Sequence, residues 1–513
     1  MAKKKYRPYK RRLKFWPVFT IALLFLIQIG VFALIFYKYI GYLQISLTGW
    51  ILVLAIFSIY MVNKDEDPDI KMSWIILEAL FPIFGILLYG FFNLLPGKKK
   101  AKESLEARKA ISSQYIFQDE EVFKRLGEKN RAQASLSKYL QGWGFPVYQN
   151  TDLRYFHQGE DFFESVFEDL EKAQHFIAIE FFVISPGLIL DRFYEIFSRK
   201  IEEGVKILFL YDGTNNLFLP KKVMDRFERI GVDCRQFLPI NAVLTSVHNN
   251  RDHRKIIVID NQVAYTGGVN LADEYANLYN KIGHWVDTGV RLEGEAVSSL
   301  TALFFEMWDF REEDDQLGAH LLPLKEEKPG EAFVIPFGEH PHMRDSIGEN
   351  VYLEIINRSI DYVYITSPYL TITDKMSSAL KLAAQRGVDV TLVFPHIGDH
   401  KKIPLAVART YYEELAPYGV KIFEYAPGFV HSKTLVSDDE VAVVGTINMD
   451  YRSFYLHYED GVLVFCPDFA LTLRGHIEKL IDQSIYMTQE EYKKTPLHLR
   501  VKGRVLRLMA PLM

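Results

Sequence analysis

The feature that most constrains the fold of this 513-residue chain is a pattern of polar residues that occurs twice. In HRKIIVIDNQVAYTGGVN, which starts at His253, a Lys follows the His by two positions, an Asp by seven, a Gly by fourteen and an Asn by seventeen. HSKTLVSDDEVAVVGTIN, which starts at His431, repeats all of these offsets. Chance does not account for this agreement. It predicts a duplicated fold that builds one site from two halves.

The residue types in this repeat suit the binding of a phosphate group. The run after each His is rich in β-formers and predicts a strand, on which positions two apart point to the same face. His253 and Lys255 therefore share a face, and an ammonium with an amide nearby suits an anionic tetrahedral group. A His pair offers a nucleophile and a general acid. The side chains predicted to meet the substrate are the His, Lys and Asn of each copy: His253, Lys255, Asn270, His431, Lys433 and Asn448.

The Asp of each copy is expected to play a supporting part. Asp260 and Asp438 lie an odd number of positions from the His, so they point to the opposite face if the strand stays regular. We nevertheless count both with the catalytic histidines and lysines, because they complete the repeated pattern.

The two motifs resemble those of the phospholipase D superfamily, whose signature is a His-Lys-Asp motif present twice. More narrowly, the segments around them are similar to bacterial cardiolipin synthases: NNRDHRKIIVID with TGGVNLADEY, HWVDTGVRLEG, PGFVHSKTLVSDD and VGTINMDYRSFYLHYE. The resemblance extends over about residues 140 to 513. One departure is that His457 and Tyr458 stand where Asn and Phe are expected.

This resemblance implies an α/β fold of two similar phospholipase D-like half-domains with the site between them. Alternating apolar strands and amphipathic helical stretches agree with such a fold. We predict a linker, a first half, a connector and a second half, in this order: residues 98–140, 141–312, 313–331 and 332–513.

The resemblance also implies a reaction with a phosphohistidine intermediate. His253 is assigned as the nucleophile and His431 as the general acid and base, while Asp287 and Glu459 would orient the two histidines. The lysines would supply the positive charge that a metal gives elsewhere, so neither a metal nor another cofactor is expected. The implied activity is transfer of a phosphatidyl group from one phosphatidylglycerol to another, which yields cardiolipin and glycerol.

Other activities remain open on the sequence. A hydrolase of phospholipase D type, or another phosphatidyltransferase, would use the same site with a different acceptor. A nuclease of the superfamily would use it too, but a net charge of −5 gives no general attraction to nucleic acid, which is not expected as a partner. A non-catalytic scaffold would be expected to have lost a motif residue, and both copies are complete.

The first 97 residues are predicted to anchor the chain in a membrane. Three apolar runs, at about residues 15–37, 42–62 and 74–95, are each long enough to cross a bilayer as a helix. Eight basic residues precede the first run and four follow the third, which favours a cytoplasmic location for both ends. Three crossings cannot place both ends on one side.

We therefore predict two crossings and a third run that does not fully cross, since it contains Glu78 and Pro82. This interpretation gives a multi-pass protein of the cell membrane with a cytoplasmic catalytic part, and with phosphatidylglycerol and membrane lipids as partners. The alternative is three crossings with an outward-facing catalytic part.

Overall fold

The computed structural model describes residue 30 and residues 43–81, 85, 86, 88–90, 97–238, 250–280, 282–310, 315–325, 330–397 and 402–512. Two large β-sheets with helices packed against them form the body of this described part. The α/β class predicted from the sequence is confirmed.

The first sheet is built from the first half of the repeat. Its strands and two short neighbours are numbered in chain order: β1 Thr151–Phe156, β2 Phe176–Phe181, β3 Lys206–Asp212, β4 Asp233–Phe237, β5 Arg251–Asp252, β6 Lys255–Ile259, β7 Val263–Gly267, β8 His284–Val286 and β9 Gly289–Gly294. Seven of them pair in the order β1-β9-β7-β6-β2-β3-β4. β2, β3 and β4 run parallel, and the other pairs are antiparallel.

The second sheet is built from the second half. The strands of this region are β10 Phe333–Glu339, β11 Tyr362–Thr366, β12 Leu370–Thr371, β13 Asp389–Pro395, β14 Lys421–Tyr425, β15 Gly428–Val430, β16 Thr434–Ser437, β17 Val441–Gly445, β18 Met449–Asp450, β19 His457–Phe465 and β20 Ser484–Tyr486. The order β10-β19-β17-β16-β11-β13-β14 repeats the first sheet strand for strand, and β20 extends its edge. The repeat in the sequence is therefore a repeat of fold.

Helices cover the sheets and connect their strands. They are α1 Leu43–Val62, α2 Pro68–Leu80, α3 Gly97–Ser112, α4 Glu120–Lys129, α5 Arg131–Gly142, α6 Gly159–Leu170, α7 Leu188–Glu202, α8 Asn215–Phe218, α9 Lys221–Arg229, α10 Val297–Trp308, α11 Leu317–His320, α12 Ile347–Arg358, α13 Asp374–Gln385, α14 Lys402–Leu415, α15 Tyr451–Tyr455, α16 Pro467–Ile481, α17 Gln489–Lys493 and α18 Leu497–Arg507. α10 contacts strands of both sheets, and β7 and β9 contact β17 directly. One hydrophobic core thus runs through both halves.

Each motif strand turns back at two residues with left-handed backbone. Asp260 and Asn261 have φ angles of 54° and 55°, and Asp438 and Asp439 have φ angles of 53° and 54°. Asp and Asn tolerate this conformation better than most residues, and two in succession suit a two-residue hairpin turn. The motif Asp therefore lies at the opposite end of its strand from the motif His.

The segment predicted as a linker, residues 98–140, is helical instead. It forms most of α3, α4 and α5, and Asp119 and Asn130 cap the last two by accepting from amides of the first turn. The segment is polar overall, but its apolar residues recur at helical spacing and therefore lie on one buried face of each helix. They join the main core: Leu105, Val122, Leu126, Ala134, Leu136 and Leu140.

The apolar N-terminal part is described incompletely. The first run, residues 15–37, lies almost wholly outside the described residues, and the second corresponds to α1. The third run is not one continuous helix, because α2 begins upstream of it at Pro68 and ends at Leu80. Asp67 caps α2 by accepting from the amide of Asp69. Among the described residues, no helix combines the length and the hydropathy of a membrane span.

Candidate active site

A cavity of about 600 Å³ lies where the two motifs meet. His253 and Asn270 line it from the first half of the chain, and His431 and Asn448 line it from the second. All four side chains are buried. Residues far apart in sequence therefore share one cavity.

Each histidine is held by a carboxylate from the opposite half. His253 Nδ1 lies 2.8 Å from Glu459 Oε2, and His431 Nδ1 lies 2.6 Å from Asp287 Oδ2. Because a carboxylate accepts hydrogen bonds, both imidazoles carry their proton on Nδ1, which leaves Nε2 available to react. The sequence identifies Asp287 and Glu459 as orienting acids, and the structure places each of them on the histidine of the other half.

Backbone pairing between the halves fixes this exchange. β5 pairs with β19, and β8 pairs with β15, both in parallel. The amide of His253 donates to Tyr458 O at 2.9 Å, and the amide of His431 donates to Val286 O at 2.7 Å. Each histidine is thus tied to the residue that precedes its orienting acid.

The motif lysines lie beside the histidines but outside the cavity walls. The ammonium group of Lys255 donates to the backbone oxygen of His253, and that of Lys433 donates to the backbone oxygen of His431. Lys433 Nζ also lies 2.7 Å from His431 Nδ1, but it does not donate there, because Nδ1 carries the proton that Asp287 accepts. Both lysines are buried. A phosphate in the cavity would meet their positive potential, and direct contact would require the ammonium groups to turn from these oxygens.

Burial shifts the pKa values of all four basic groups. It lowers the pKa of Lys255 to about 8 and the pKa of Lys433 to about 7. Burial and then the charge of Lys433 lower the pKa of His431 to about 4. Burial and then the charge of Lys255 hold the pKa of His253 far below its usual range. A bound anion would favour the charged forms again, so the site suits an anionic substrate.

The two motif asparagines differ in how they are held. Asn270 Oδ1 accepts from the amide of Val183 at 3.0 Å, and its Nδ2 donates to the Tyr275 hydroxyl at 2.9 Å. Asn448 Oδ1 is buried and has no hydrogen-bond partner among the described residues. Asn270 is therefore fixed by the protein, whereas Asn448 keeps a polar atom for a ligand.

Asp260 and Asp438 bind backbone rather than lining the cavity. Asp260 accepts from the amides of residues 174–176 at 2.7–2.8 Å, and Asp438 accepts from those of residues 360–362 at 2.8–3.0 Å. These amides lie at the start of β2 and β11, so each Asp fastens its motif strand to a neighbouring strand. Hydrogen bonds to charged groups contribute about 1.5–3 kcal/mol each. The catalytic grouping of both residues is thus corrected, and they stabilise the fold.

Comparison with known proteins connects this site to a family. A family model described as cardiolipin synthase, PLD-like domain, matches residues 352–481. A cardiolipin synthase of Alkalihalophilus pseudofirmus is 30% identical over 94% of this chain and 98% of its own length. A cardiolipin synthase of a Geobacillus species is 31% identical over 93% of this chain and 95% of its own length. The chain belongs to the cardiolipin synthase family.

The fold is not confined to the cardiolipin synthase family. The solved structure of phosphatidylserine synthase from Haemophilus influenzae aligns with a TM-score of 0.56, over 74% of this chain and 97% of that chain. The two sequences are 15% identical, so this similarity concerns the fold alone.

His457 is a site residue of this family member that motif spacing does not reveal. It lines the cavity, and its ring centroid lies 5.2 Å from that of His253. Its Nδ1 lies 3.3 Å from Glu459 Oε1, and its Nε2 is buried without a hydrogen-bond partner in the part of the chain that the structure describes. The signal for it in the sequence is its departure from the family pattern, which predicts Asn at this position.

His253, His457 and Glu459 form a group of described residues close enough to hold a metal ion. Imidazole and carboxylate groups are common ligands of zinc. Here, however, the two imidazoles direct Nδ1 at the carboxylate, and the positive charge of Lys255 lies next to His253. The group therefore fits a metal poorly, because the Nδ1 protons of both imidazoles occupy the carboxylate oxygens that a metal would need.

The lining of the cavity is partly polar and partly apolar. Asp450 and Arg452, which follow the second motif in the sequence, are among the polar lining residues. Other parts of the lining are apolar and are called the apolar wall, and many of these side chains come from α14: Phe394, Pro404, Leu405, Val407, Ala408 and Ala510. Such a cavity fits a phosphate ester that carries an apolar group.

Proposed function

We propose that this chain is a cardiolipin synthase, which transfers a phosphatidyl group from one phosphatidylglycerol to another and yields cardiolipin and glycerol. The observation that carries the proposal is the pair of histidines in one cavity, each held at Nδ1 by a carboxylate of the opposite half. Transfer between two alcohols needs one nucleophile and one group that first donates and then accepts a proton.

The first step forms a phosphohistidine. His253 Nε2 attacks the phosphorus of the donor lipid, and the bond between phosphorus and the headgroup oxygen breaks. His431, protonated at Nε2, gives that proton to the departing oxygen, and glycerol leaves. Glu459 supports the positive charge that develops on His253, in the way that a buried acid supports a catalytic imidazole.

The second step reverses the first with a new alcohol. His431, now neutral at Nε2, takes the proton from a hydroxyl of the second phosphatidylglycerol. That oxygen attacks phosphorus, the bond to His253 breaks, and cardiolipin forms. Both histidines then have the protons with which they began, so the cycle consumes no cofactor.

Charge stabilisation comes from the two lysines. The transferred phosphoryl group gains negative charge on its oxygens in each step, and preorganised positive groups lower the energy of that state. Lys255 and Lys433 are buried on the two sides of the site, one beside each histidine. The side-chain N–H groups of Asn448 are suited to donate to the same oxygens. Its Oδ1, which is buried without a hydrogen-bond partner among the described residues, is suited to accept the proton of an alcohol hydroxyl.

Selection of a lipid alcohol over water follows from the apolar wall. A lipid acceptor held at this wall is presented to the phosphohistidine in a fixed orientation, and such positioning lowers the barrier by several kcal/mol. Water gains nothing from the apolar side chains of α14. The wall therefore favours transfer over hydrolysis.

Membranes containing the full chain and labelled phosphatidylglycerol test the proposal. With label in the headgroup glycerol and, separately, in the acyl chains, we expect one glycerol released for each cardiolipin formed, without added nucleotide. The His431→Ala variant is the matched control, because it leaves the N-terminal part unchanged. Phosphatidic acid as the main product would identify a hydrolase, and a different lipid product would identify another phosphatidyltransferase.

We also propose that the catalytic part lies on the cytoplasmic side, with two membrane crossings before it. The Tyr451 hydroxyl bonds to Asp69, and the Tyr455 hydroxyl donates to Asp67 Oδ2 at 3.2 Å. The beginning of α2, with its cap Asp67, therefore touches the second half of the catalytic part and shares its side. If the first two runs form a hairpin, the basic N-terminus lies on that side as well.

An engineered cysteine at Glu103 in α3 tests this topology. An impermeant thiol reagent should leave it unlabelled in intact cells and label it after lysis. Labelling without lysis would place the catalytic part outside and would mean that all three apolar runs cross.

A further inference from the structure

α18 is a helix with one docked face and one exposed face. Gly503 faces α14, and a β-carbon added there would lie 2.2 Å from Ala406 O, so glycine permits this close approach. Arg500 and Arg504 each donate to Glu413 at 2.7 Å. These contacts attach the helix to α14 and determine which face points outward.

The outward face of α18 and its C-cap is an apolar stripe. Leu497, Val501 and Val505 of the helix and the capping residue Leu508, which keeps helical backbone angles, are 71%, 51%, 60% and 51% exposed. Their spacing of four, four and three positions puts them on one side of a helix, opposite Gly503. Single exposed apolar side chains are ordinary, whereas a contiguous stripe marks a surface that binds a partner.

Basic residues border the stripe on both sides. At 3.6 residues per turn, His498 and Lys502 follow one edge. Arg500 and Arg504 follow the other edge, where both pair with Glu413 and Arg504 remains 60% exposed. The sequence of α18 contains no acidic residue. This pattern is typical of helices in the plane of an anionic bilayer, because long basic side chains reach lipid phosphates while their stems cover apolar surface.

The apolar surface continues into the N-terminal helices. The Ser73 hydroxyl of α2 donates to Leu508 O at 2.9 Å, and Met509 packs against the cluster formed by α1 and α2. α1 itself exposes large apolar side chains, among them Ile51, Leu52, Ile56, Ile59 and Val62. α18 and α1 thus present apolar side chains from one region of the molecule.

We propose that α18 lies in the interface of an anionic lipid bilayer and holds the apolar wall of the cavity near the membrane surface. α14 carries α18 and also lines the cavity with Pro404, Leu405 and Ala408. Ala510, just beyond α18, lines the cavity as well. A lipid thereby has a short path from the bilayer to the histidines. The inference rests on the proposed function, since it takes the substrate to be a bilayer lipid.

A nitroxide at position 501 tests this placement without reference to activity. The full-length Val501→Cys variant, with Cys234 and Cys466 changed to Ser, is labelled and reconstituted into vesicles of phosphatidylglycerol and phosphatidylcholine. We expect the label to be more accessible to oxygen, which concentrates in hydrocarbon, than to a water-soluble nickel complex. The matched control is Ile360→Cys, at a position that is 77% exposed before β11, and it should show the opposite preference.

Two results of this measurement would overturn the proposal. A label at position 501 that the nickel complex reaches readily would place the stripe in water. A label protected from both reagents would mean that protein covers it, for example a second copy of the chain.

Activity provides a second measurement. Val501→Glu combined with Val505→Glu puts two charges on the stripe and spares the docked face. The ratio of activity on long-chain phosphatidylglycerol in vesicles to activity on a short-chain, monomeric analogue should fall about tenfold, because apolar contact and attraction to anionic lipid both weaken. Ile360→Glu should keep the ratio of the unchanged protein.

The outcomes separate this inference from the proposed function. An unchanged ratio in the double variant would overturn the role of α18. An unaltered protein that is inactive on both substrates would contradict the proposed function instead, and the nitroxide measurement would still decide where α18 lies.

Discussion

The two ends of the site hold their histidines in different ways. At one end, Asp287 Oδ2 faces His431, and Asp287 Oδ1 accepts from the amide of Thr288 at 2.9 Å. Gly268 stands here where the second copy has Thr446, and a β-carbon on it would lie 2.0 Å from Asp287 Oδ1. This end is compact, and much of the carboxylate charge faces one imidazole.

At the other end, Glu459 shares its charge among several donors. Besides His253, it accepts from Thr446 at 2.5 Å, from Ser453 at 2.7 Å and from His457 at 3.3 Å. A carboxylate with four donors stabilises any one imidazolium less than a carboxylate with fewer. The comparison therefore favours His253 as the neutral nucleophile and His431 as the proton carrier.

The lysines also have different neighbours. The carboxylates of Glu459, Asp460 and Asp252 oppose the effect of burial on Lys255, whose pKa is lowered to about 8. Burial lowers the pKa of Lys433 to about 7, and the positive charge of Lys255 adds to this effect, whereas Asp287, Glu459 and Asp450 oppose it. Lys433 is thus the lysine that loses its charge first as pH rises.

The largest expected effect comes from removing either histidine. His253→Ala and His431→Ala should each lower turnover by roughly four to six orders of magnitude, since attack and proton transfer act as a unit. A p-nitrophenyl phosphodiester, whose leaving group needs no proton, sharpens the comparison. With it, His431→Ala should still form phosphoenzyme in a rapid-quench assay, and His253→Ala should not. The reverse pattern would exchange the two roles, and half activity in either variant would mean two separate sites.

A smaller effect is expected from neutralising the orienting acids, at about a hundredfold to ten-thousandfold loss with phosphatidylglycerol. Asp287→Asn should affect the activated ester much less than the lipid, because Asp287 assists proton transfer to the leaving group. Glu459→Gln should lower turnover of both substrates, because it weakens the nucleophile. Steady-state rates of both variants on the lipid and on the activated ester measure this difference. Equal losses in the two variants on both substrates would show that Asp287 and Glu459 do not have different roles.

The lysine comparison predicts a change in pH dependence. His431 must be protonated and its pKa is about 4, so the kcat/KM profile declines from that pH upward. A lysine is charged below its pKa, so the decline should become steeper above about pH 7 as Lys433 loses its proton. Lys433→Arg keeps its charge throughout this range, and its profile should instead become steeper near pH 8, where Lys255 titrates. A profile of Lys433→Arg with an unmoved alkaline limb would show that another group controls it.

The smallest effect is expected at His457. His457→Asn replaces the imidazole N–H that faces Glu459 with an amide N–H that can donate to the same carboxylate, so turnover should change less than about tenfold. Extensive chelation should leave both forms active. If EDTA abolished activity, one divalent ion restored it and His457→Asn no longer responded, the group His253, His457 and Glu459 would be a metal site.

Local spacing in the sequence predicts which residues form the site. It does not predict contacts that depend on the pairing of strands from the two halves. The repeated offsets are sufficient to predict one polar cluster around His253 and His431, whereas the α/β class follows from the family resemblance and the alternation of apolar strands with amphipathic helices. The exchange of Asp287 and Glu459 between halves depends on the pairing of β8 with β15 and of β5 with β19, which no offset encodes. The odd spacing of Asp260 indicates the opposite face, but its backbone partners are visible only in the fold.

Two other results show what composition conceals. Residues 98–140 are polar overall, yet Leu126 and Leu140 are fully buried on the inner faces of their helices. His457 is visible as a departure from the family pattern, but its contact with Glu459 requires the strand β19 to be in place. The membrane crossings stay a prediction, because most of the first apolar run lies outside the described residues.

The exchanged carboxylates have a consequence for how the two copies can change over time. A mutation that displaces Asp287 or Glu459 damages the histidine of the other copy rather than its own. Neither copy can then decay while its twin maintains the activity, as one of two independent duplicate genes can. Selection must therefore maintain the catalytic residues of both copies together. The residues around each acid can still diverge, as Thr446 and Gly268 at equivalent positions show.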